Sequence, residues 1–211
     1  DGIRDVAVTG VQTCALPILM AADPNKAIVN EIEAGRVNAL EAQGFAATQE
    51  NAATMQFDPK SVDVVIANPP FGQTGAEYNV AGLKTGQIDH AIALNALQAM
   101  KDDGRAVLIV GGPDRVDEDS RRQAYRALSK RQFYYNLYNN YNVKDHFTIG
   151  GDLYAKQGTT FPIDVIVIEG RGTGTRRQQP AAALPRMITT WDQLQGVLNG
   201  SRSGEHTSEL Q

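Results

Sequence analysis

Four consecutive residues, Asn68-Pro69-Pro70-Phe71, carry the types and order best suited to chemistry in this chain. They follow the apolar run Val62-Asp63-Val64-Val65-Ile66-Ala67, which has the character of a buried strand. The two prolines lack backbone donors and fix the turn. They hold the Asn68 carboxamide and the Pro69 carbonyl outward at the carboxyl end of a strand, where ligands bind in open α/β sheets. Phe71 adds a flat apolar face beside these two acceptors. That set suits a planar base with an exocyclic amino group, whose two hydrogens the acceptors would take. The competing account is a plain strand-ending turn, which gives no reason for the aromatic or for the paired prolines.

The elements that must position this motif are legible as alternating strands and helices. Residues 27–29 read as a short buried strand that ends near Asn30 and Glu31. Residues 33–43 read as a helix with Val37 and Leu40 on one face and Gly44 as its stop. Residues 45–48 form a second short strand and residues 63–67 a third, β-branched enough to be buried on both faces. Residues 73–86, with three glycines and many polar side chains, are expected as a mobile loop. Residues 88–101 predict a well-buried helix, closed by Asp103-Gly104. A strand comes next over 105–110, then a polar helix over 119–130. Residues 142–149 and 163–168 predict an antiparallel pair. Residues 170–185 read as a linker, and 187–198 as an amphipathic piece of a further region. This alternation gives an α/β sheet covered on both faces.

With the motif at a strand end, the chain resembles the amino-methylating S-adenosylmethionine-dependent methyltransferases, in particular the N6-adenine DNA methyltransferases. The resemblance implies an α/β, Rossmann-like methyltransferase fold, the cofactor S-adenosyl-L-methionine and a DNA partner with its target adenine flipped out. Asn68, Pro69, Pro70 and Phe71 are then the catalytic set. Glu31 would accept hydrogen bonds from the ribose hydroxyls, and Asn51 and Ala52 would read the cofactor adenine. The family commonly has Asp where Asn51 stands. Glu31 has a bland alternative as a solvated helix-start residue, and Asn51 as an ordinary turn residue. Related motifs serve RNA-guanine and protein-glutamine methylation, so those substrates stay open. A non-catalytic nucleic-acid-binding module is the reading from another class. Residues 30–170 also look like the methylase module of large phage- and plasmid-borne proteins of the strawberry-notch or anti-restriction type, which implies fusion to helicase-like parts.

Both termini have an unusual character. Residues 1–5 back-translate to a sequencing-library primer and residues 8–18 to its adapter stem. Residues 202–211 resemble the opposite strand of that adapter, departing at Gly204. The expected organisation is therefore 1–18 adapter-derived, 19–170 a partial methyltransferase domain, 171–201 a linker and the start of a following region, and 202–211 adapter-derived. On this expectation the domain lacks its first strand and the Gly-rich cofactor loop after it, and the 211-residue chain is inactive. Residues 6–11 are the segment expected to take the vacant central place in the sheet.

Composition sets further bounds. The chain has 20 Lys and Arg against 24 Asp and Glu; without residues 1–18 and 202–211 the balance is 18 against 20, a net charge of −2. Near neutrality gives no electrostatic pointer to nucleic acid. The single cysteine, Cys14, lies in the adapter-like part, and His90 and His146 have no metal-ligand spacing, so no metal is expected. No apolar run approaches the ~20 residues that cross a bilayer, so no membrane partner and a cytoplasmic location are expected. Arg122, Arg126 and Lys130 recur every fourth residue, followed by Phe133, Tyr134, Tyr135, Tyr138 and Tyr141. Basic plus aromatic composition suits nucleic-acid contact, and a solvated face beside a tyrosine cluster is the alternative. Gly72 and Gly75 would let a loop close over the base. Asp89-His90 opens the buried helix; lining the substrate cleft is one reading of the pair, and a helix cap is the expected role of Asp89. Residues 158–162 are a further cleft loop.

Overall fold

The structure, a computed structural model, describes residues 6–9, 23–114, 117–154, 160–172 and 178–203. Ten strands and six α-helices are seen among them. The strands are β1 (Val6–Thr9), β2 (Ala27–Asn30), β3 (Ala47–Thr48), β4 (Val62–Ala67), β5 (Gln73–Val80), β6 (Leu83–Gln87), β7 (Met100–Gly111), β8 (Tyr141–Ile149), β9 (Ile163–Arg171) and β10 (Arg186–Ile188). The helices are α1 (Ala34–Glu41), α2 (Ile88–Ala99), α3 (Glu118–Arg126), α4 (Leu128–Asn140), α5 (Gly151–Tyr154) and α6 (Trp191–Ser203).

Eight strands form one sheet in the order β10-β8-β9-β7-β4-β1-β2-β3. The run β7-β4-β1-β2-β3 is parallel, and β9 joins it antiparallel to both β7 and β8. This is the α/β sheet with an antiparallel end that the sequence predicts. The central place between β4 and β2 is taken by Val6–Thr9, within the segment expected there. Thr9 pairs with Asn30 on one side and Ala67 on the other. Two strand spacings therefore separate the ends of β2 and β4, about 10 Å.

Helix α2 is apolar almost all round, with Ala91, Ala93, Leu94, Ala96, Leu97 and Ala99 fully buried. Such a helix belongs inside the fold rather than on it. It packs between the sheet and the β5–β6 hairpin. The hairpin corrects the expected loop over residues 73–86. Its two turn residues, Ala81 and Gly82, both have positive φ (51° and 76°), which matches the twist of paired strands. Val80, Leu83 and Thr85 turn inward, so the segment has a buried face despite its glycines.

Three further expectations are corrected. Asp103-Gly104 does not close the helix: α2 ends at Ala99, and β7 runs through both residues. A side chain at 104 would meet Met100 Cγ at 2.7 Å, so only glycine fits there. The polar helix over 119–130 is two helices, broken at Ala127, whose ψ of 139° is not helical. The expected linker over 170–185 is partly docked: β9 runs on to Arg171, and the Ala181 and Ala182 carbonyls accept from Arg122.

A buried polar cluster joins α3, α4, β8 and β9. Asp164, fully buried, accepts from the hydroxyls of Tyr125, Tyr134 and Thr148. His146 Nε2 lies 3.5 Å from its carboxylate, and Tyr138 holds His146 Nδ1 at 2.8 Å. Burial alone would raise the Asp164 pKa. The opposing effects of His146, Lys130 and the Tyr134 hydrogen bond bring it down to about 2. Burial and the same carboxylate push Tyr125 and Tyr134 up. Among the described residues no helix is long and apolar enough to cross a membrane.

Candidate active site

The carboxyl ends of β2, β3 and β4 share one edge of the parallel sheet, and each carries part of the site. Asn30 ends β2 and is 2% exposed. Its Oδ1 accepts from Glu50 N at 3.0 Å and Thr48 Oγ1 at 2.8 Å, and its Nδ2 donates to Glu50 O at 3.0 Å. This latch joins the ends of β2 and β3 and fixes the chain that leads into Asn51. Sequence reasoning missed it, because the partners lie 18 and 20 residues away along the chain.

Glu31 comes next, 4% exposed. Its Oε1 accepts the backbone N–H groups of Ile32 and Glu33 at 2.9 and 3.0 Å. Its Oε2 has no hydrogen-bond partner among the described residues and faces Arg36 at 3.5 Å. The helix-start role belongs instead to Glu33, which caps α1 through Gly35 and Arg36. Those backbone hydrogen bonds hold the Glu33 pKa below its ordinary value. Glu31 is therefore buried rather than solvated, and it is not the residue that caps α1.

Asn51 opens a turn after β3. Its backbone carbonyl accepts from Thr54 and Met55, each at 2.9 Å, and its Oδ1 accepts from Ala53 N at 3.0 Å. Glu31, Asn51, Ala52 and Pro70 all line one cavity of about 440 Å³. Ile32, Ile88, Ile92 and Tyr78 supply apolar and aromatic walls. Ile32 is 64% exposed, an apolar side chain presented to solvent at the pocket's mouth. Tyr78 comes from the hairpin, and a loop reading of residues 73–86 gives no reason to place it there.

Asn68 and Pro69 are buried at the end of β4, and Pro70 is exposed. Of the motif, Pro70 alone lines the cavity; Asn68, Pro69 and Phe71 lie beside it rather than in its wall. Phe71 is half-buried, packed against the cluster of Phe147, Ile149, Ile163 and Ile188. Gly72, at φ 118°, turns the chain, and its carbonyl accepts from Ile88 N at 3.0 Å. The motif is thus tied to the first turn of α2.

Asp89 sits in that turn, 2% exposed. It does not cap the helix. The N-cap residue is Gln87, and Asp89 Oδ2 instead accepts from Gly111 N, at the end of β7, at 2.9 Å. A Cβ at 111 would lie 3.5 Å from Asp89 Oδ2 and 3.6 Å from Phe71 Cβ, ordinary contact distances that place Gly111 beside both groups. Burial raises the Asp89 pKa, against the Gly111 hydrogen bond and the Lys130 charge, which lower it. His90 is stacked on Phe133 at 4.1 Å, and burial, with Lys130 nearby, pushes its pKa down to about 3.

The basic and aromatic residues of 121–141 do not assemble into one contact surface. Arg121 is buried on the Thr148 hydroxyl and the Pro185 carbonyl, Arg122 holds Ala181 and Ala182, and Lys130 turns in to the Gly111 carbonyl. Phe133, Tyr134 and Tyr141 are core. Among the described residues no group of three or more His, Cys, Asp or Glu could hold a metal ion. Of the expected cleft loop 158–162, residues 158 and 159 lie outside the described residues.

No protein-family model and no curated protein matches the chain. Solved structures do. The methyltransferase subunit of a type I restriction-modification system from Streptococcus thermophilus superposes with a TM-score of 0.60 at 13% identity, over 96% of this chain and 49% of that one. A modification subunit assigned to a type I restriction enzyme of Vibrio vulnificus YJ016 gives 0.58 at 11% identity, over 95% and 49%. A protein assigned as a class I S-adenosylmethionine-dependent methyltransferase from Listeria monocytogenes gives 0.55 at 12%, over 94% and 64%. The chain spans about half the length of the first two. The fold is therefore the Rossmann-like fold of S-adenosylmethionine-dependent methyltransferases. Within that class, the neighbours include the methyltransferase subunits of restriction-modification systems.

Proposed function

We propose that this chain is part of an S-adenosylmethionine-dependent methyltransferase acting on an exocyclic amino group, adenine N6 in DNA. One observation carries this: a single cavity joins Glu31, Asn51 and Ala52 to Pro70 of the Asn-Pro-Pro-Phe turn. The residues present fit the cofactor. Glu31 offers a buried carboxylate oxygen free of hydrogen bonds, suited to a ribose diol. Ile32, Ile88 and Ile92 offer apolar surface for a flat base. When bound, S-adenosylmethionine supplies an electrophilic methyl group.

The chain's own residues then do the positioning. The Asn68 carboxamide oxygen and the Pro69 carbonyl accept the two hydrogens of the substrate amino group. This directs the nitrogen lone pair along the line of displacement, and such alignment supplies much of the acceleration. Phe71 stacks on the base. DNA as the substrate is supported by the likeness to two restriction-modification subunits and by the motif's resemblance to that of the N6-adenine enzymes. The adapter-derived termini and the helicase-like fusion remain separate proposals, tested by resequencing the gene across both junctions.

The test is transfer of labelled methyl groups by the full-length protein carrying this domain. Unmethylated duplex DNA, RNA and a glutamine-containing polypeptide are offered in parallel. N6-methyladenine recovered from the DNA is the expected result. Label in RNA or protein alone would move the substrate assignment; no transfer to any of them would overturn the activity.

A further inference from the structure

We propose that Asn95, on the buried helix α2, is a positioning residue that sets how selectively the pocket recognises the adenine end of its cofactor. The proposal rests on the cofactor assignment above. Asn95 is 8% exposed, between residues that are fully buried and apolar, Leu94 and Ala96. A leucine there would favour the helix more. The amide has another task. Its Nδ2 donates to the Ala52 carbonyl at 2.8 Å and to the Met55 carbonyl at 2.9 Å. Its Oδ1 accepts from Gln98 Nε2 at 2.8 Å. Two carbonyl partners on one atom require that atom to be the nitrogen, so the orientation of the amide is fixed.

These bonds hold the turn after β3. The Asn51 carbonyl points into the turn, toward Thr54 N and Met55 N. The peptide bond is trans, so the Ala52 N–H points the opposite way. Asn95 clamps the next carbonyl along, and the Ala52 peptide planes cannot rotate independently. Asn51 Oδ1 is engaged with Ala53 N, which leaves Nδ2 as the group free to turn outward. The turn therefore presents donors at a fixed angle where Asn51 and Ala52 line the cavity. Donors match the ring-nitrogen acceptors of adenine. Hypoxanthine carries a hydrogen at N1, where adenine has a lone pair, and would set donor against donor.

Calorimetric titration of the full-length protein with S-adenosylhomocysteine and with S-inosylhomocysteine tests this. The wild type should prefer the adenine form by about tenfold or more, the scale of one buried hydrogen bond misplaced. Asn95→Leu should lose most of its affinity for the adenine form and little for the inosine form, bringing the ratio toward one. Gln98→Ala changes an exposed residue and frees Asn95 Oδ1; it should narrow the ratio severalfold with the fold intact, and it decides the matter should Asn95→Leu not fold. Parallel loss for both ligands, with the ratio unchanged in the variants, would make Asn95 a purely structural residue. A wild type that binds neither ligand would overturn the cofactor assignment itself, before any variant is compared.

Discussion

Glu31 shows how one side chain can be committed and available together. One carboxylate oxygen is held by two backbone N–H groups, and the other is buried without a hydrogen bond. Glu31→Gln keeps the shape but removes the charge. Hydrogen bonds to charged acceptors contribute about 1.5–3 kcal/mol each, so S-adenosylhomocysteine affinity should fall roughly 10- to 100-fold, measured by calorimetry. An unchanged affinity would remove Glu31 from the site. Asp89 gives a second prediction at this scale. Its folded-state pKa is raised from 3.8. The carboxyl is therefore tolerated best when protonated, and stability falls as pH climbs from about 4 through the raised value. Asp89→Asn can keep an acceptor for Gly111 N and should flatten that decline in melting temperature between pH 4 and 8. An undiminished decline would place its cause elsewhere. The roles of Asn68 and Glu31 were suggested by residue type and place along the chain. Asn30, Asn95 and Asp89 were not, because their partners lie 20, 43 and 22 residues away. Local sequence carries no record of such pairings.

At the scale of elements, the strands and helices with clear periodicity were legible: β2, β4, α1, α2 and the β8–β9 pair fall close to where the sequence puts them. The misreadings share a cause. Glycine-rich 73–86 is a hairpin because Ala81-Gly82 supply a two-residue turn and α2 covers one face, a tertiary effect that local propensity does not register. The helix break at Ala127 has no proline or glycine to announce it. That break sends Lys130 inward to Gly111 and dissolves the apparent basic stripe. Asp164 ties the elements on this side together. Its pKa of about 2, against 3.8 ordinarily, means that its contribution is complete above about pH 4 and is lost as pH falls through about 2. Asp164→Asn would leave the hydroxyls of Tyr125, Tyr134 and Thr148 with a poorer acceptor. Breaking such a buried charged network typically costs about 3–5 kcal/mol, to be read by urea denaturation at pH 7. A loss under about 1 kcal/mol would contradict the role given to the cluster.

At the scale of the molecule, the parallel sheet brings residues from three strand ends to one edge, as open α/β sheets do. The expectation that Val6–Val11 would enter the central place is met over Val6–Thr9. Parallel pairing runs through backbone groups, so a short stretch of β-formers suffices to complete the ladder whatever its origin. The α/β character of the sheet and its antiparallel end were legible in the alternation of elements. The cavity was not, because it needs α2 and the hairpin as walls. On the proposed function, the motif beside this cavity holds a substrate amino group for methyl transfer. The most direct measurement is single-turnover transfer of labelled methyl groups to duplex DNA by the full-length protein and its Asn68→Ala variant, with S-adenosylhomocysteine affinity measured alongside. Loss of an alignment contact of this kind should slow transfer by about 100-fold or more while cofactor affinity stays within about threefold. Transfer at the wild-type rate by the variant would contradict the claim.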